Sequence, residues 1–238
     1  ALRRFRPALT VGLHGGSTAA MLARASCARW RATFAGLRHG WAYNVFTPAK
    51  SPPLGRMRLH TVEHAASLFE VIGMPERALG SLRVYPQPHT VAGMARRRTA
   101  RGITGPYAFL NVEAREPGMR WPRERFAELA AWLQRERGLA SVTASAGAGE
   151  PIAGVALFAS TRVEELIALE ADATLVVGND GGPIHIAAAL GKPIVGLYST
   201  TDLEIWSPWQ ARARVLQAGI LADLSTTDIQ QAIDDLMD

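Results

Sequence analysis

Apolar residues in this chain come in short runs rather than long stripes. Leu9–Leu13, Tyr107–Val112, Ala140–Ala144, Val155–Phe158, Leu175–Val177, Ile194–Tyr198 and Ala213–Leu216 have Gly or Pro near their ends. Runs of that length, bounded by breakers, read as buried strands. Between them the spacing changes to threes and fours. Phe126, Leu129, Ala130 and Leu133 share a helical face after Pro122, and Val62, Ala65, Ala66, Phe69 and Ile72 share another before Gly73. Ser225-Thr226-Thr227-Asp228 opens the last helix with a capping-box-like pattern. Strands alternating with helices predict a parallel sheet wrapped by helices. The stretch Pro86 to Gly105, with its Arg96-Arg97-Arg98 run, is the best candidate for a domain boundary.

Composition narrows the class. With 238 residues, 48% of them hydrophobic, the chain can build one large or two small domains. No run approaches the roughly 18 apolar residues of a membrane span. The lone Cys27 rules out a disulfide framework or a cysteine-based zinc site, so a reducing compartment is expected. The first residues, Leu2-Arg3-Arg4-Phe5-Arg6-Pro7, read as the end of a helix entering a strand, and an upstream segment is expected. Charge is the sharper signal. Residues 1–101 hold 16 Lys+Arg against Glu63, Glu70 and Glu76, a net of +13; the rest hold 10 Lys+Arg against 18 Asp+Glu, a net of −8. Such asymmetry points the first half at an anionic partner. Nucleic acid is the weaker choice, because no basic motif interleaved with aromatics is present.

One stretch carries chemistry: Thr174-Leu175-Val176-Val177-Gly178-Asn179-Asp180-Gly181-Gly182-Pro183, running into an alanine-rich helix that stops at Gly191-Lys192-Pro193. At the carboxyl end of a parallel strand, paired glycines let a ligand approach the backbone closely. The N–H groups of Gly181, Gly182 and Ile184 are expected at the positive end of the helix, a place for phosphate. Pro183 suits the first helical turn. Asp180, repelled by phosphate, is either the helix cap or a group reaching past the phosphate to sugar hydroxyls.

The stretch Asn179 to Pro193, continued by Tyr198-Ser199-Thr200-Thr201-Asp202, resembles the donor motif of the family 9 glycosyltransferases, the ADP-heptose:lipopolysaccharide heptosyltransferases and relatives. Arg120-Trp121-Pro122-Arg123-Glu124-Arg125-Phe126 resembles the family's Trp-Pro-x-x-x-Phe helix start. Leu13-His14-Gly15 and His60-Thr61-Val62-Glu63-His64 match its acceptor-domain landmarks. These matches occur in collinear order from about residue 6 to the C-terminus.

The resemblance implies a GT-B-type α/β fold: two Rossmann-like, doubly wound parallel-sheet domains facing across a cleft. Residues 1–103 would form the acceptor domain, lacking its first strand. Residues 104–238 would form the nucleotide-sugar domain, with packing of the last helix on the first domain left open. It implies inverting transfer of heptose, or a related sugar, from an ADP-sugar to a lipopolysaccharide core, with no metal and no cofactor. The absence of an Asp-x-Asp motif and of a histidine cluster agrees with that. Carried over, Gly181, Gly182, Pro183 and Arg120 would bind the donor diphosphate. Asp180, Thr201, Asp202 and Glu150 would face the donor sugar and nucleoside, Glu150 holding the ribose. His14, Gly15, Arg29, Arg31 and Arg38 would lie on the acceptor side, with Arg56 and Arg58 nearby. The partners implied are an ADP-heptose-like donor, an anionic lipopolysaccharide core and an anionic membrane surface. That would place the protein peripherally at the cytoplasmic face of a bacterial inner membrane.

Three departures from the family pattern matter. Met119 stands where the family has a donor-site lysine, leaving Arg120 as the nearest cation. Gly12 and Thr18 replace an aspartate and a basic residue. The family's Gly-Asp turn with its catalytic base is not in the sequence, so either the chain is a fragment or the base lies elsewhere. The alternative reading is a nucleotide-sugar-binding GT-B protein with another acceptor or with lost catalysis.

Overall fold

The computed structural model describes residues 5, 7–47, 59–74 and 79–237; Arg56 and Arg58 lie outside them. By contacts the chain forms two units: Ala1–Leu79 with the short helix α7 (Leu203–Trp206), and Gly80–Asp202 with Ser207–Asp238.

In the first unit three parallel strands, β1 (Leu9–Gly12), β2 (Trp30–Phe34) and β3 (Val45–Thr47), lie side by side in that order. Helix α1 (Ser17–Ala25) packs Ala20 and Ala23 against Ala42 and Tyr43. Helix α2 (Thr61–Val71) packs Leu68 against Ala32 and Phe34. Its start is fixed by His60: Nδ1 accepts from the Val62 N–H at 3.2 Å, while Glu63 Oε2 accepts from the His60 N–H at 2.9 Å. His64, one turn on, stacks its ring on Phe34 at 4.0 Å. β2 and β3 escape the apolar-run reading because Arg31 interrupts one strand and the other is only three residues long.

The second unit is a six-stranded parallel sheet in the order β6-β5-β4-β7-β8-β9. Its strands are β4 (Tyr107–Asn111), β5 (Ala140–Ala144), β6 (Val155–Phe158), β7 (Leu175–Asn179), β8 (Ile194–Tyr198) and β9 (Ala213–Gln217). All six coincide with the expected runs to within a residue or two. Burial on both faces explains why β4, β7 and β8 read as continuous runs, whereas the edge strand β9 carries the exposed Arg214 and Gln217. Leu110, Val177, Val195 and Leu197 pack under α4 (Arg123–Arg137) and α8 (Thr226–Met237). Tyr107, Phe109, Val176 and Ile194 face α3 (Pro88–Thr99), α5 (Val163–Asp172) and α6 (Gly182–Ala189). This is the doubly wound arrangement.

Local rules set the helix ends. Gly138, at φ 63°, closes α4 in the left-handed conformation. Ser225 and Asp228 cap α8 reciprocally, with Ser225 N–H to Asp228 Oδ2 at 2.8 Å and Asp228 N–H to Ser225 Oγ at 3.2 Å. Ile229, Ala232, Ile233 and Leu236 put α8 in the core of this second unit. The expected boundary at 103/104 and the contact-based one at 79/80 differ by α3. That helix sits on α5 through Arg97–Glu165 at 2.9 Å, Arg98–Asp172 at 2.8 Å and the buried Met94.

Candidate functional site

Numbered within the second unit, the strand order is 3-2-1-4-5-6, so the direction of winding reverses between β4 and β7. In such sheets ligands bind outside the carboxyl ends of the strands at that reversal. The reversal is held by two asparagines that the sequence pattern does not single out. Asn111, ending β4, donates Nδ2–H to the Asn179 carbonyl at 2.7 Å. Asn179, ending β7 and fully buried, donates Nδ2–H to the Val112 carbonyl at 2.8 Å and accepts the Trp121 N–H on Oδ1 at 2.9 Å. One amide therefore ties the loop bearing Arg120 to the turn bearing Asp180. The two strand ends approach so closely that a Cβ at Gly178, whose φ is 157°, would lie 2.3 Å from the Asn111 carbonyl oxygen. Glycine is compulsory there.

Gly182 is different. It is exposed, its φ lies outside the left-handed region, and an added Cβ would meet no described atom within 4 Å. Neither conformation nor crowding demands a glycine, yet the residue opens α6 at the switch point. Gly181 caps the helix in extended backbone, with no side-chain cap. The Ile184 N–H, expected among the ligand-facing amides, bonds to the Gly181 carbonyl at 3.1 Å. The amides of Gly181 and Gly182 have no partner among the described residues, and Pro183 has no N–H to place.

Asp180 is anchored through its N–H to the Leu197 carbonyl at 2.9 Å, and its Oδ2 accepts the Thr201 hydroxyl at 2.7 Å. It does not cap α6. Asp202 follows Thr201 in the same loop. Arg120 lies beside Trp121, whose backbone Asn179 holds. Its guanidinium donates to the Ala114 carbonyl at 3.1 and 3.3 Å and stands 3.7 Å from Glu113. Trp121 itself is core, with its indole N–H on the Leu224 carbonyl at 2.9 Å and an edge contact to Phe126. Glu150 comes off the β5–β6 loop with a side chain 78% exposed, 3.5 Å from Arg123 Nε. Tyr198 ends β8 buried, and burial raises its hydroxyl pKa.

In the first unit the structure divides the acceptor-side residues. His14 and Gly15 follow the carboxyl end of β1, where a Cβ on Gly15 would meet Leu37, the neighbour of Arg38. Arg29 and Arg31 sit at the opposite end of the sheet, where β2 begins. Arg31 is committed to backbone, its guanidinium donating to the Ala42 and Ala28 carbonyls at 2.7 Å each. Arg29 stacks on the half-exposed Trp30 ring at 5.0 Å. Gly12 also gains a reason: a Cβ there would lie 2.4 Å from the Tyr43 hydroxyl. No aspartate precedes Asp172 in the sequence, and Glu63 is occupied in capping α2. Among the described residues no three His, Cys, Asp or Glu gather as a metal site, and no helix is long and apolar enough to cross a membrane.

The family profile of glycosyltransferase family 9 (heptosyltransferase) matches residues 11–235. The chain belongs to glycosyltransferase family 9. It is 29% identical over 164 residues to lipopolysaccharide heptosyltransferase 3 of Escherichia coli K12, a match covering 63% of this chain and 47% of that protein. The chain thus spans about half the length of that relative. Among solved structures, a family 9 glycosyl transferase from Veillonella parvula superimposes with a TM-score of 0.82 at 20% identity, covering 99% of this chain and 76% of that one. The E. coli ADP-heptose lipopolysaccharide heptosyltransferase II gives 0.78 at 20% identity, covering 99% and 78%. The fold class expected from the motifs, two Rossmann-like units of the GT-B type, is therefore the fold found.

Proposed function

We propose that the second unit binds an ADP-sugar and that the chain takes part in transferring heptose, or a related sugar, to a lipopolysaccharide core. The observation that carries this reading is Gly182, a glycine at the switch point that neither conformation nor crowding demands. Around it are two unpartnered amides at a helix N-terminus, which favours an anion. Arg120 is the cation closest in sequence to Trp121, whose backbone Asn179 ties to the turn. Glu150 follows β5, the second strand of the sheet, where a carboxylate meets a ribose in related nucleotide-binding folds.

In this reading the reaction is a metal-independent in-line displacement with inversion. A base takes the acceptor hydroxyl proton as the oxygen attacks the anomeric carbon, and the bond to the ADP oxygen breaks. Charge developing on the leaving diphosphate is met by the Gly181 and Gly182 N–H groups and by Arg120, fixed before reaction begins. Asp180 holds the donor sugar. The first unit, with its excess of arginine, would face the anionic acceptor and the anionic cytoplasmic leaflet of the inner membrane.

The test is a calorimetric titration with ADP, UDP and GDP. Saturable binding that prefers ADP is expected. Preference for UDP, or no binding of any of the three, would overturn the donor assignment.

A further inference from the structure

Gln217 is an exposed glutamine at the end of an edge strand, a position with no default structural role. In this fold its Nε2 donates to two carbonyls, Ser199 at 3.0 Å and Thr201 at 2.8 Å. Both carbonyls belong to the loop leaving β8. They converge on one amide because the loop curls around it. The second of these residues, Thr201, sends its hydroxyl to Asp180 Oδ2 at 2.7 Å. The Asp180 backbone is already fixed on Leu197, so its remaining freedom is side-chain rotation, and the Thr201 hydroxyl removes it. Oδ1 is left without a partner among the described residues, one residue from the Gly181–Gly182 amides.

We infer that Gln217, acting through Thr201, positions Asp180 so that one carboxylate oxygen reads a hydroxyl of the donor sugar. Gln217 thereby controls discrimination between sugars carried on the same nucleotide. The inference rests on the donor reading given above. A carboxylate free to rotate can follow hydroxyls in several directions, whereas a carboxylate held by one oxygen presents the other in a fixed direction. The chain of contacts runs 217 to 201 to 180 and does not touch the diphosphate amides. Loss of Gln217 should therefore alter sugar recognition and leave recognition of ADP intact.

The experiment measures binding of ADP, ADP-heptose and ADP-glucose to the wild-type chain, Gln217→Met, Thr201→Val and Thr201→Ser. ADP affinity is expected to stay within about twofold of wild type in Gln217→Met. The preference for ADP-heptose over ADP-glucose should fall roughly tenfold in Gln217→Met and in Thr201→Val, the size of one hydrogen bond to a charged group. Thr201→Ser should keep the preference, and a variant combining Gln217→Met with Thr201→Val should be no worse than either single one, because both act on one path. An unchanged preference in Gln217→Met would overturn the inference, as would equal losses for ADP and ADP-heptose. Failure of the wild-type chain to bind ADP at all would overturn the donor reading, and this inference with it.

Discussion

Replacing Glu170 with Gln should remove most of the alkaline loss of stability of the second unit. Glu170 lies on α5, is fully buried, and neither carboxylate oxygen has a hydrogen-bond partner among the described residues. Burial alone pushes its pKa up from 4.5 to about 9. In the unfolded chain the group loses its proton near 4.5; in the folded chain it keeps it until about pH 9. Between those values the folded state holds the extra proton, so stability is highest below pH 4.5, falls as pH rises, and levels off above 9. One proton is worth about 1.4 kcal/mol per pH unit, which by pH 7 amounts to about 3 kcal/mol. Tyr107, whose pKa is raised chiefly by burial, is still protonated across this range. Urea unfolding of both proteins at pH 5, 6, 7 and 8 gives the test. The wild-type curve should drop by about 1.4 kcal/mol per unit relative to Glu170→Gln. Parallel curves for the two proteins would refute the reasoning.

Other predictions follow from the site and the basic unit. Asn179→Ala leaves the Trp121 N–H and the Val112 carbonyl unpaired in the core, and should lower unfolding free energy by roughly 2–4 kcal/mol in denaturant titrations. Gly178→Ala forces a methyl onto the Asn111 backbone and should abolish the folded far- and near-UV signature of the second unit. Arg120→Ala should weaken ADP more than adenosine, by about 1 kcal/mol. That is the low end for a charged contact, because the side chain is 41% exposed. Neutralising Arg29 and Arg38 together should weaken salt-sensitive sedimentation with anionic vesicles without changing ADP affinity. Arg31 is left out because its replacement would break the Ala42 and Ala28 contacts.

What could be read from the sequence follows from how local its cause is. The central strands β4, β7 and β8 were legible because burial on both faces makes them mostly apolar, and the Asp180–Pro183 turn because glycine and proline announce themselves. Helix α3 was hidden: Met94 is its one fully buried residue, and its arginines look like a linker until Glu165 and Asp172, some 70 residues away in sequence, meet them. Asn179 is inside the motif, but its role depends on Trp121 and Val112, whose proximity no local pattern shows. Gln217 is hidden for the same reason. The split of the acceptor-side arginines depends on β2, a strand that Arg31 disguises.

The most direct test of the central claim is ADP affinity in Gly182→Val, measured beside thermal stability. The added Cβ enters space with no described atom within 4 Å beyond its chain neighbours and its own helix, and it sits at a φ any residue adopts, so the fold should hold and Tm should stay within a few degrees of wild type. If that space belongs to the donor diphosphate, ADP affinity should fall by at least tenfold in the same preparation. Unchanged ADP binding by a folded Gly182→Val protein would contradict the account, because the glycine would then be serving no ligand.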